Sequence, residues 1–366
     1  MDNPPEASRS LATLRDAEAN QHLLRGLTLL EANTPASLSE AVSCFDVAIA
    51  LRSQLPLAGN PWFRYGLIAG WLNRGDALTR LGSTKNLVEA LAAYDEALLH
   101  LRELPMAESP LFVKRLAIAW LNRGITLLKQ KLPDTIRHAT DCFSEAIAAA
   151  KNFQSLSPEE GRILLAGAWF NRANALIQLQ PPQAEAARAA TKPALSLCAG
   201  IEIENVAAAE ISLQARHVLC QALAQLLGDP DAVATQRDVW LAEATDAVDS
   251  GMALARHWEA QGVRQFRAAA ADLFRFGCRV YQIHQPHFLT EFLLENLDPA
   301  QSPDALRTAE LHASAAEALW RSLAALHRDG FKTMNTPQFE TMLEQLRELR
   351  ITGERLAELN RAVRGR

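Results

Sequence analysis

From Pro61 onward the apolar side chains fall at Phe63, Leu67, Trp71 and Leu78 with the small Gly75 between them, and Phe112, Leu116, Trp120, Gly124 and Leu127 repeat that spacing 49 residues later. Steps of three and four residues place such positions on one stripe of an α-helix. A second stripe follows each of these: Ala41, Phe45 and Ala48, then Ala90, Tyr94 and Ala97, then Ala139, Phe143 and Ala146. Small, aromatic, small at helical spacing predicts helices that approach each other closely. The chain therefore reads as helix pairs. Asn60-Pro61, Ser109-Pro110 and Ser157-Pro158 each put a capping side chain before a proline, which loses nothing at the first helical position because that backbone donor has no partner. Ser37-Leu38-Ser39-Glu40 reads as a capping box, Pro56 and Pro105 as stops. In the fourth pair, Pro181-Pro182 precedes the second helix and Pro193 lies inside it, which predicts a shortened or kinked helix.

The repetition extends to whole words. Trp71-Leu72-Asn73-Arg74-Gly75 recurs as Trp120-Leu121-Asn122-Arg123-Gly124 and as Trp169-Phe170-Asn171-Arg172-Ala173, while His22-Leu23-Leu24-Arg25-Gly26 keeps the Arg and Gly one period earlier. A period of this size signals a solenoid, whose units cannot bury their apolar faces singly and stack on their neighbours. Past Ile201 the words fade but helical spacing continues over 206–227, 233–258, 263–283, 303–327 and 337–363. This predicts a short flexible start (1–7), four repeats (8–200) and a region of degenerate helical repeats or a helical cap (201–366), with Glu340 to Arg364 charged enough to close the array.

The Trp, the Gly four on, and the later Ala, aromatic, Ala resemble the tetratricopeptide repeat, a helix-turn-helix unit; Ala168-Trp169-Phe170-Asn171-Arg172-Ala173-Asn174-Ala175-Leu176 is particularly close. The resemblance covers residues 8 to 200 and departs in length, 49 residues against a usual 34. Longer helices and a turn enlarged by Ser83 to Asn86 are the expected reason. It implies an all-α, right-handed α-solenoid with a helical C-terminal region. It also implies a concave groove for peptides, in which Asn73, Asn122 and Asn171 hold main chain, flanked by Leu72, Leu121, Phe170, Asp76, Arg80, Lys129, Asn174 and Gln178. The opposing reading has each Asn bonded to its own surroundings.

Arg25, Arg74, Arg123 and Arg172 form a second ladder. They are expected to pair with acids of second helices, Arg74 with Asp95 or Glu96, or else to read a partner's carboxylate. The clamp that some family members use for a terminal carboxylate is not reproduced, because Ile118, Leu121 and Ile125 occupy its positions. Trp71, Trp120 and Trp169 read as core.

Composition narrows the function. The chain is 49% hydrophobic and only 6% aromatic, with a formal net charge of −5, which removes the basic excess that nucleic acid or anionic lipid would need. No apolar run spans a membrane and the start lacks a signal-peptide pattern, so a cytoplasmic protein is expected. Cys44, Cys142, Cys198, Cys220 and Cys278 form no Cys-x-x-Cys pair and read as reduced thiols.

No phosphate-binding loop, dinucleotide fingerprint, His-Glu-x-x-His or Gly-x-Ser-x-Gly occurs. Cys278, His284 and His287 near Glu291 have metal-like spacing, but Pro286 splits the two histidines at a helix break. Trp240, Trp258, Phe266, Phe274, Phe276, Tyr281, Phe288 and Phe292 read as a bundle core or a ligand cavity. The expectation is a non-catalytic scaffold without cofactor or metal. Its partner would be another protein or peptide, not nucleic acid or membrane, with self-association through an uncapped end left open. A ligand-responsive sensor is the alternative, and an enzyme built on the Cys278 region a third.

Overall fold

The computed structural model describes residues 6–284, which form eleven α-helices and one short 3-10 turn. No strand occurs among the described residues. The expected helices over 303–327 and 337–363, and residues 1–5, lie outside them. The chain divides into two compact units between Cys198 and Ala199.

The first unit holds four helix pairs: α1 (Glu6–Ala32) with α2 (Pro35–Ser53), α3 (Pro61–Leu81) with α4 (Thr84–Leu101), α5 (Pro110–Lys129) with α6 (Pro133–Leu156), and α7 (Pro158–Gln178) with α8 (Ala184–Cys198). Each helix packs on the next in sequence, as a solenoid requires. The first helices also touch one another in order, α1 to α3 to α5 to α7, with no comparable contact along the second helices. The row of first helices is therefore the tighter side of this unit.

One contact recurs at each of three steps and explains the glycine. A methyl group on Gly26, Gly75 or Gly124 would lie 2.4, 2.7 or 2.5 Å from the ring of Phe45, Tyr94 or Phe143 in the second helix of the same pair. All three rings are buried to within 1%. Only a residue without Cβ lets the ring seat against the backbone. In the fourth pair the ring position is Lys192, and there the glycine is replaced by Ala173. Trp71 and Trp120 pack half-buried on the cluster around Ile68 and Tyr94, and Trp120 and Trp169 on the next one, around Ala146 and Leu165. The tryptophans thus occupy matching layers.

Helix starts follow the sequence with two corrections. Asn60 and Ser109 cap through their side chains onto the backbone N–H of Trp62 and Leu111, at 2.9 and 3.3 Å. Ser157 makes no side-chain cap; it is the single residue between α6 and α7, and its N–H donates to the Phe153 carbonyl to close α6. The capping box opening α2 sits three residues earlier than expected: Thr34 is the cap, and the Ser37 hydroxyl accepts from the Thr34 N–H at 2.9 Å. Glu40 is released from capping and pairs with Arg25. Ser83 to Asn86 do not enlarge a turn either. Ser83 caps α4 by accepting from Asn86 N–H, and only Gly82, in the left-handed region at φ 72°, precedes it. The added length lies in the helices, 21 and 18 residues in the second pair, and in the segment leading to Pro110. The Pro193 helix is short, 15 residues, yet runs through the proline.

The second unit contains α9 (Val206–Leu227), α10 (Ala234–Ala260) and α11 (Arg267–His284), each touching the other two. Trp240, Trp258, Phe266 and Phe274 are buried among them, 6% exposed or less, and Phe276 is half-buried. These aromatics form a core. The Tyr281 side chain, Phe288 and Phe292 lie outside the described residues. The Glu202 carboxylate accepts from both terminal nitrogens of Arg216 at 3.1 and 3.3 Å, and its carbonyl accepts from Trp258 Nε1 at 2.9 Å. That pins the segment entering α9 to α9 and α10.

Candidate functional site

The three faces of α3 are fixed by what they touch. Gly66, Gly70 and Arg74 face α2, where added methyl groups at the glycines would meet Arg52 at 2.7 Å and Ile49 at 2.8 Å, and where Arg74 meets Asp46. Leu72 and Gly75 face α4. At 100° per residue, Asn73, Asp76 and Arg80 share a stripe adjoining that of Gly66, on the side away from Arg74, and the same phase gives Asn122, Ile125 and Lys129 on α5 and Asn171, Asn174 and Gln178 on α7. These nine positions share the face of the first-helix row.

Several expected ligand contacts are committed inside the chain. Leu72 is 2% exposed within the cluster around Tyr94, because it lies one residue, about 100°, round the helix toward α4. Arg80 grips Asp76 through two nitrogens at 3.1 and 2.9 Å and donates to the Leu30 carbonyl at 3.3 Å. Lys129, one period on, donates to the Thr79 carbonyl at 3.0 Å. Leu30 and Thr79 lie in the last turns of α1 and α3, whose final carbonyls have no partner within their own helix. Each base thus closes the end of the preceding first helix, where a positive charge is favoured. On α7 the Gln178 amide donates to Asn174 Oδ1 at 2.8 Å, and Asn171 Nδ2 bonds its own helix at the Gly167 carbonyl, 2.8 Å away.

Asn73 and Asn122 differ. Both are half-buried, and neither amide makes a hydrogen bond among the described residues. Leu121 and Phe170, in the phase of Leu72, are half-buried, Leu121 packing on the cluster around Ala146 and Leu165, while Ile118 and Ile125 are half-buried on α5 one helical turn either side of Asn122. The Trp71 Nε1 is buried without a partner two residues from Asn73. Two unpaired amides beside apolar side chains form the part of the face whose polar groups the chain leaves unsatisfied.

Three rungs of the arginine ladder pair with acids, Arg25 forward with Glu40 of its own pair but the next two backwards. Arg74 Nε donates to Asp46 at 2.6 Å and Arg123 Nε to Asp95 at 2.8 Å, each acid 28 residues earlier on the preceding second helix. The expected partner of Arg74, Asp95, belongs instead to Arg123; Glu89 takes the second place on Arg74 at 3.6 Å. The side chain leans across the junction between pairs, a direction that periodicity does not encode. Arg123 also donates to the Cys142 sulfur at 3.1 Å. Burial nonetheless pushes the Cys142 thiol up, with Arg123 opposing it. Cys44, Cys142, Cys198 and Cys220 are all buried and in no disulfide.

Three polar nodes carried no sequence signal. Arg52, its side chain 3% exposed, donates to Asp16 at 3.0 Å, to the Gly66 carbonyl at 2.8 Å and to Asn20, tying α1, α2 and α3 together. The Thr79 and Thr126 hydroxyls meet at 2.8 Å beside the Tyr94 hydroxyl. The third is the Arg216–Glu202 pair described above. All join separate elements, and a lone Arg or Thr in a sequence does not announce a partner 36 or 47 residues away. No group of three or more His, Cys, Asp or Glu able to hold a metal occurs among the described residues. The Cys278 and His284 side chains, His287 and Glu291 lie outside them. No described helix is long and apolar enough to cross a membrane.

No family model matches the chain. No curated protein matches it either. Among solved structures it is similar to the crystal structure of the P58(IPK) TPR domain, at 15% identity over 93% of this chain and 98% of that one. The TM-score is 0.17, so the two do not superpose as whole bodies and no site is carried from one to the other. The helices and their order of packing establish the fold class here: an all-α solenoid of helix pairs followed by a helical region.

Proposed function

We propose that the chain is a tetratricopeptide-like scaffold without catalysis, and that the first-helix face of residues 8–200 docks an extended or helical segment of another protein. The observation that carries this reading is the pair Asn73 and Asn122, two amides in the same phase of successive repeats, half-buried and unbonded. An amide offers one donor group and one acceptor, which complements a peptide backbone. Ile118 and Ile125 supply apolar contact in the stripe of Asn122, with the half-buried Leu121 and Phe170 at its edge, so apolar side chains would give affinity while the amides fix register. Asn171, bonded to its own helix, is a lesser contact in this reading. Leu72, Arg80 and Lys129 act in the fold.

The test is affinity capture with the full chain, followed by calorimetry with the captured partner's peptide. Asn73→Ala with Asn122→Ala should weaken the peptide at least about tenfold, roughly 1.4 kcal/mol, with the far-UV circular dichroism unchanged. Asn171→Ala should weaken it less. Equal affinity of the double variant and the unaltered chain rejects this face as the groove.

A further inference from the structure

One rung of the arginine ladder lacks its acid. Arg25 pairs with Glu40, Arg74 with Asp46 and Arg123 with Asp95. Counting back from Arg172 the 28 residues that separate Arg74 from Asp46 and Arg123 from Asp95 reaches Ser144, an exposed side chain whose hydroxyl donates to the Thr140 carbonyl at 2.9 Å. Arg172 makes no ion pair or hydrogen bond among the described residues. Its guanidinium lies 5.7 Å from the centroid of the Trp169 ring, and Lys151 Nζ lies 5.5 Å from the same centroid, likewise without an acid. The Arg172 nitrogens are not among the unpartnered atoms sealed from water.

We propose that Arg172 and Lys151, set about the Trp169 indole, bind a carboxylate side chain from an acidic segment of a partner protein, in the place that Asp46 and Asp95 fill at the two preceding junctions. The neighbouring rungs show the geometry: a carboxylate oxygen sits 2.6 to 2.8 Å from Arg Nε, a planar fork that a carboxylate matches. Two cations near one ring gain most from an anion that neutralises both, and the indole offers the methylenes of Asp or Glu an apolar wall. The net charge of −5 makes the chain as a whole repel acidic peptides, so any that bind are held locally. This surface lies on the side of the first helices that faces the preceding second helix, not on the face of Asn73 and Asn122, and its success or failure is independent of the groove.

The probe is a fluorescein-labelled octaglutamate peptide, read by anisotropy against the full chain at about 20 mM salt, where exposed charges are little screened; octaglutamine is the control. The octaglutamate should bind and the octaglutamine should not. Arg172→Gln should weaken binding about tenfold, and Ser144→Asp, which supplies the acid internally, should weaken it as much while leaving the melting temperature equal or higher. Unchanged binding by Ser144→Asp overturns the assignment, as does absence of binding by the unaltered chain. Displacement by inorganic phosphate at an equal concentration of anionic groups would reassign the site to small anions and equally reject an acidic segment.

Discussion

Gly124→Ala tests the packing rule on which the repeats rest. The added methyl would lie 2.5, 2.8 and 2.9 Å from three carbons of the Phe143 ring, so the ring edge must retreat by about 1 Å to reach ordinary carbon contact. Phe143 is 0% exposed, so its ring moves only against packed neighbours. Overpacking of this kind costs about 1–3 kcal/mol. Removing a glycine from a helix interior returns about 1 kcal/mol. The net expectation is a loss of about 1 kcal/mol, and up to about 2. In a Phe143→Leu background the clash disappears and only the backbone gain remains, so the same substitution should stabilise by about 1 kcal/mol. The change of sign gives a coupling of about 2 kcal/mol, within the range for contacting residues. Urea denaturation followed by far-UV circular dichroism reads the unaltered chain and the three variants, with the slope checked for constancy because repeat arrays lose two-state behaviour. An equal shift in both backgrounds would refute the argument that the ring imposes the glycine.

Two further outcomes follow from the buried polar nodes. Arg52→Ala strands Asp16, Asn20 and the Gly66 carbonyl and should cost about 3 kcal/mol, whereas Arg25→Ala, in a pair 65% and 48% exposed, should cost under about 0.5 kcal/mol. Equal urea midpoints for the two variants would contradict this ranking. Burial pushes the Cys142 and Cys220 thiols and the Tyr94 hydroxyl upward. A raised folded-state value means that the stability is fully present below the unfolded-state value and is lost as pH rises above it. The urea midpoint should therefore hold to about pH 8, fall from about pH 9 as unfolded thiols ionise, and fall further above about pH 10 as the unfolded phenol ionises. Tyr94→Phe should remove the second decline; its persistence in that variant would assign it to another group.

The proposed docking face was legible only in part. Asn73 and Asn122 follow from phase, because a repeated polar residue in an apolar word marks one face of a helix. The fate of Arg80 and Lys129 did not, since a long basic side chain can serve the solvent or the end of a neighbouring helix, and only packing selects the Leu30 and Thr79 carbonyls. Leu72 was misplaced for a related reason: its neighbour Asn73 is half-buried on the open face while it faces α4, and one residue of helix separates the two. The partner of Arg74 was misread because a period specifies which positions are equivalent and not whether a side chain leans toward the pair before or after it.

By itself the sequence determined the helices, their pairing and their repetition. These depend on residues within a few turns of one another, where backbone geometry fixes which side chains share a face. Tertiary structure decided which of those side chains spend their hydrogen bonds inside the stack. The Arg52 node, the Thr79–Thr126 pair and the unpaired Arg172 exist only because helices distant in sequence meet at particular heights, and that height is set by packing volume rather than by any local pattern.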